Sequence, residues 1–198
     1  MDQDKAINDI IAQYKDLLEA ISTFRDYTED QLNWRPTAVQ WSMAECIEHI
    51  RLTSHVYAEQ IDLAIDRSPE SLHQAESSYR LGLFARFFIW MMEPRGKKIP
   101  NKVKTTTAFI PDESAFNADL LIDNTTKVIE DNITLLERMR TLAVMHIKVP
   151  LPVTNLIKLP ILDALTFVAS HNRRHVQQAR NVLDYERFPH EQQGPAFA

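Results

Sequence analysis

Residues 160–185 read PILDALTFVASHNRRHVQQARNVLDY. With Val168 at zero and 100° per residue, Ile161, Ala164, Ala179 and Val182 all fall within about 40° of it. That stripe predicts one long helix from Pro160 or Ile161 to about Tyr185, with proline tolerated in the first turn. In the same frame His171 lies at about −60° and His175 at about −20°, so both imidazoles face the core. An i, i+4 pair stacks two rings one turn apart, a geometry suited to adjacent metal ligands. Buried imidazoles are costly unless bonded or ligated, so a metal pair and a hydrogen-bonded core pair both stand at this point.

A helix with such a stripe needs partners, and the chain supplies three more. Asp4 to Phe24 carries Ile7, Ile10, Ile11, Tyr14, Leu17, Leu18 and Ile21 at helical spacing. Thr28 to Gln40 is a connector, because Pro36 disfavours the α region at Arg35. Ser42 with Glu45 three residues on is a capping box, and it opens a helix running to about Arg67 before Pro69. Its stripe is Met43, Ile47, Ile50, Tyr57, Ile61 and Ile65, and Trp41 with Cys46 can form a hydrophobic staple. A shorter helix is expected from about Ser77 to Met92, then a long loop from Glu93 to Glu113 punctuated by Pro94, Gly96, Pro100 and Pro111. Ala115 to Leu142 is the next long helix, and Val144 to Pro160 reads as a crossing connector. The tail from Phe188 reads as loosely ordered. The expected fold is an all-α four-helix bundle, one domain over residues 1–198. An additional short helix and a long loop separate its second and third main helices.

Composition narrows the function. The 198 residues include 3 glycines, and no Gly-rich phosphate loop is present. The net charge of −5 argues against a nucleic-acid partner, whose phosphates call for a basic surplus. Arg95, Lys97, Lys98, Lys102 and Lys104 cluster locally and read as a solvated loop. One cysteine, Cys46, permits no intrachain disulfide. MDQDKAIND opens without a basic or apolar leader, and the most apolar stretch, Leu81 to Met92, falls short of a membrane span of about 20 residues. The expectation is a cytoplasmic protein with no membrane partner. Leu81 to Met92 is also a candidate for partner binding, with core or a homodimer interface as the plainer readings.

A third histidine lies on the second helix. With Ile50 at zero, His49 falls at about −100°, on the flank of the stripe, while His55 falls at about 140° on the polar face. His73, His146 and His190 lie in connectors or the tail. Glu45 is explained by the capping box, and Cys46 by burial as a small hydrophobe. Arg174 is read as a surface salt-bridge former before an anion site, and Trp34 and Trp41 as pocket walls or connector anchors. Gln178 is placed to bond a ligand or a neighbouring helix.

The segments Gln31-Leu-Asn-Trp-Arg-Pro and Gln40-Trp-Ser-Met-Ala-Glu-Cys-Ile-Glu-His49 resemble the entry to the second helix of the DinB/YfiT-like superfamily. Leu162 to Gln178, with His171-Asn-Arg-Arg-His175, resembles that superfamily's last helix. The resemblance implies a four-helix bundle holding a divalent metal on His49, His171 and His175, and often a homodimer. The metal it implies is zinc or nickel, and imidazole ligands also accept iron, copper or, less readily, manganese. Characterised relatives include bacillithiol-dependent S-transferases and a mycothiol-dependent isomerase. The implied function is therefore a metal-dependent S-transferase or hydrolase acting on a small electrophilic substrate, with a low-molecular-weight thiol as a candidate cosubstrate. The competing reading is a non-catalytic, stress-related binding module whose metal is structural or absent.

Overall fold

The computed structural model describes residues 2–74, 78–100, 105–112, 115–151 and 154–190. Four long helices carry the fold: α1 (Gln3–Ser22), α3 (Met43–Asp66), α5 (Ala118–Arg138) and α6 (Ile161–Asn181). Two short ones accompany them, α2 (Glu29–Asn33) and α4 (Leu83–Met92). Helix α3 packs against α5 and α6, and α1 packs against the same two, so α1 and α3 sit diagonally across the bundle.

Side-chain contacts fix the directions. Gln3 at the start of α1 donates to the carbonyls of Met139 and Leu142 beyond the end of α5, so these helices are antiparallel. Arg138 at the end of α5 pairs with Asp62 and Asp66 at the end of α3, so those two are parallel. On α3 and α6, His49 lies beside His175 while Tyr57 lies beside Phe167, an antiparallel pair. In chain order the long helices therefore run up, down, down, up. A polar node ties three of them: Asn172 donates to Ser54 Oγ (2.9 Å), and Asn132 reaches the Ser54 carbonyl (3.4 Å).

Local chemistry sets the helix ends. The Ser42–Glu45 capping box is complete: Ser42 Oγ accepts from Glu45 N–H at 3.1 Å, and Glu45 accepts from Ser42 N–H at 2.9 Å. Arg35 clasps the same buried carboxylate and joins the connector to α3. Helix α5 starts at Ala118, later than the expected Ala115, because the Asn117 side chain caps it by accepting from Leu120 N–H. It ends at Arg138 in a 3₁₀ turn over Met139–Thr141, short of Leu142. Helix α6 likewise ends at Asn181, with a 3₁₀ turn over Val182–Asp184 before Tyr185.

Several expectations are corrected. The 144–160 connector contains a hairpin, β1 (Lys148–Leu151) paired antiparallel with β2 (Thr154–Pro160). A two-stranded ribbon has only edge strands, so Pro150 and Pro160 do not forbid it. Thr28 to Gln40 holds α2, whose Thr28–Gln31 capping box is also complete. Helix α4 begins at Leu83 and not near Ser77, which lies outside the described residues. Gly82 N–H donates to the buried Asp163 carboxylate (3.0 Å), and Tyr79 O–H donates to its other oxygen (2.6 Å), so residues 79–82 are pinned to α6 in a non-helical path. Phe188 is buried against Trp34 (ring centroids 5.6 Å) and Tyr27 (6.4 Å), so the tail is packed at least that far. Arg95, Lys97 and Lys98 are exposed as expected; Lys102 and Lys104 lie outside the described residues.

Candidate metal centre

His171 and His175 project from successive turns of α6, and His49 meets them from α3. Ring centroids are 5.1 Å apart for His49–His171, 4.4 Å for His49–His175 and 4.5 Å for His171–His175. One nitrogen from each ring can be chosen so that all lie within 4.8 Å of one another. His49 and His175 are buried and His171 is half-buried. His49 sits on the flank of its stripe, and the ring is enclosed there because α6 and the 107–109 turn cover that flank.

That loop supplies an orienting contact. A 3₁₀ turn at Thr107–Phe109 places the Phe109 carbonyl 2.6 Å from His49 Nδ1. His49 Nδ1–H donates to that oxygen, so the neutral ring turns the lone pair of Nε2 towards the other histidines. The acceptor is backbone, so no residue type encodes the bond, while the Phe109 ring also stands edge-on to His49 at 6.4 Å between centroids. The long proline-punctuated loop was the only sequence cue. Trp41 lies over His49 (4.9 Å) and His175 (5.9 Å), and Phe167 lies 6.1 Å from His171. Trp41 therefore walls the site, whereas Trp34 anchors its connector on Tyr185 and Phe188.

The electrostatics keep the rings neutral. Burial and the neighbouring His49 push the His171 pKa down to about 3. His175 falls well below its ordinary range through burial and the two other histidines, with an opposing hydrogen bond to Gln178. His49 is lowered by burial, and its Phe109 contact opposes the shift. Neutral imidazoles are the form that binds a metal.

The donor set fits a divalent ion. Two nitrogens each about 2.05 Å from one tetrahedral ion lie about 3.3 Å apart; His49 Nε2 and His171 Nε2 are 3.4 Å apart. The buried Nδ1 atoms of His171 and His175 have no partner within hydrogen-bond distance, so the pair's polar atoms are not all met by the core. No Cys, Asp or Glu joins the cluster among the described residues.

The other candidates fall outside it. His55 is exposed beside Glu59, and His73 bonds Ser68. Cys46 is fully buried, and burial pushes its thiol pKa up, so it is a protonated core residue. Arg174 is buried and donates to the Pro100 carbonyl, which corrects its reading as a surface salt bridge: it ties α6 to the loop. Two surface clefts, of about 480 and 540 Å³, are lined by other residues and do not include His49, His171 or His175.

An up-down-down-up helical bundle with three convergent imidazoles defines a class of metal-binding bundle proteins. Residues 11–179 match the model of the DinB superfamily, a metal-binding family, and the chain belongs to that superfamily. No curated protein and no solved structure matches the chain.

Proposed function

We propose that this protein is a metal-dependent enzyme, an S-transferase or hydrolase acting on a small electrophilic substrate. The observation that carries this reading is the open donor set: three neutral imidazoles converge, with no fourth protein ligand among the described residues. Structural zinc sites are closed by four protein ligands, whereas catalytic sites keep a position for water or substrate. His49, His171 and His175 would hold the ion, with zinc or nickel as the best-suited metals. A divalent ion so held supplies Lewis acidity, which acidifies a water or thiol and polarises an electrophile.

The chain's own groups prepare that chemistry. The Phe109 carbonyl fixes the His49 tautomer, so the ring offers Nε2 without reorganising. Trp41 and Phe167 bound the histidines with apolar surface and limit water there. A low-molecular-weight thiol is the proposed cosubstrate, because softness matching favours thiols on imidazole-held zinc or nickel. The protein is proposed to work in the cytoplasm as a homodimer.

Metal analysis of purified protein tests the reading. About one equivalent of divalent metal per chain is expected, and His171→Ala should lose it. Unchanged metal in that variant would sink the site. A coordination sphere by X-ray absorption that contains only protein side chains would instead make the metal structural.

A further inference from the structure

Helix α4 is apolar nearly all round, and only its inner side is used. Ala85 and Met92 are buried against the bundle, and Phe88 packs on Phe167 of α6 at 6.2 Å between ring centroids. The outer side leaves Leu83 75%, Phe84 68%, Phe87 54% and Trp90 59% exposed. A helix that is hydrophobic on every face calls for a cover on each. From those exposures the four side chains present roughly 500 Å², towards the upper end of what the largest apolar patch on a monomer covers.

The charges around this face favour one kind of cover. Residues 78–92 contain no Asp or Glu but include Arg80 and Arg86, both exposed. Arg95 follows, stacked 5.3 Å over the Trp90 ring, and Lys98 is exposed beyond it. Of the acids flanking this stretch, Glu93 is engaged by Arg173 and Ser170 on α6, and Glu76 lies outside the described residues. This cationic rim belongs to a chain whose net charge is −5. A second copy of the same face would bring like charges together, with no acid in residues 78–92 to pair them. An interfacial helix on an anionic bilayer uses this pattern: Trp, Phe and Leu enter the headgroup boundary while Arg and Lys engage lipid phosphates.

We propose that the outer face of α4, Leu83, Phe84, Phe87 and Trp90 rimmed by Arg80, Arg86 and Arg95, docks the folded protein on an anionic lipid surface. No helix among the described residues is long and apolar enough to cross a membrane, and this mode needs none. The helix is already folded against α6, so docking requires no ordering of the segment. The inference is independent of the metal chemistry.

Vesicle co-sedimentation tests it on the full chain. The wild type should pellet with vesicles of equimolar phosphatidylglycerol and phosphatidylcholine, and much less with phosphatidylcholine alone. R80E/R86E should weaken that binding about tenfold or more, given roughly 1 kcal/mol per basic residue near an anionic surface. F84S/F87S/W90S should abolish it, with an unchanged helical circular dichroism signal showing that the fold is kept. Failure of the wild type to bind anionic vesicles overturns the proposal, as does equal binding to neutral ones. Sedimentation showing a dimer that F84S/F87S/W90S dissociates, with no vesicle binding, would assign the face to a second copy instead.

Discussion

At His171 burial and His49 have lowered the imidazole's proton affinity, and this gives the metal-free protein an acid sensitivity. The unfolded ring takes up a proton near its ordinary value of 6.5, the folded ring only near 3. Acid therefore favours the unfolded chain: stability is full above pH 6.5 and declines as pH falls through 6.5 towards 3. Thermal melts in chelator should show Tm falling as pH drops from about 7 to about 5, and His171→Asn/His175→Asn should flatten the profile. A wild-type profile as flat as the variant's would refute the assignment. Gly82 makes a different residue-scale demand. Its φ of −63° suits any residue, but an added Cβ would stand 2.7 Å from Asp163 Oδ2. Gly82→Ala should cost about 1–3 kcal/mol in denaturant unfolding, through displacement of a buried carboxylate from its partners. The histidine pair was legible because helical periodicity fixes the face of both rings. The flank angle of His49 permitted its role without establishing it, since what encloses that flank comes from α6 and a backbone carbonyl far along the chain.

At the scale of elements, local signals that close within a few residues were readable and those set by distant partners were not. Ser42 and Glu45 marked the start of α3 because a capping box is complete within four residues. Ser42→Ala should cost about 1 kcal/mol in unfolding free energy by denaturant titration, and more if the Arg35–Glu45 pair loosens with it. The hairpin of β1 and β2 was hidden by its prolines, which argue against a central strand but not against a ribbon with two edges. It packs on the core through Val149 and Leu159, paired with each other in register and both buried, with Ile157 partly buried against the same core. The start of α4 was misplaced because Asp163, 81 residues beyond Gly82, holds the approach to the helix out of helical geometry.

Across the whole molecule, the diagonal placement of α1 and α3 brings the second and last long helices side by side, and the histidines meet on that shared interface. The polar node of Ser54, Asn132 and Asn172 sits in the same layer of the bundle and is fully buried. Asn172→Ala should destabilise by about 1–3 kcal/mol, since it strands the Ser54 hydroxyl in the core. A double-mutant cycle with Ser54→Ala should then be clearly less than additive, and simple additivity would show that the bond carries no coupling. The sequence displayed the four-helix count and stripes, because each long helix is amphipathic on its own. The direction of packing and the loop's reach over His49 depend on contacts spanning most of the chain. One such contact carries an evolutionary consequence. Because the acceptor that orients His49 is the carbonyl of residue 109, any side chain that keeps the turn preserves it. Point changes at position 109 still disturb the site, because the buried Phe109 ring stands edge-on to His49 at 6.4 Å, whereas an insertion or deletion between α4 and α5 shifts which oxygen arrives. Loop length therefore chooses the oxygen that orients His49, and the side chain of residue 109 fills the space beside its ring.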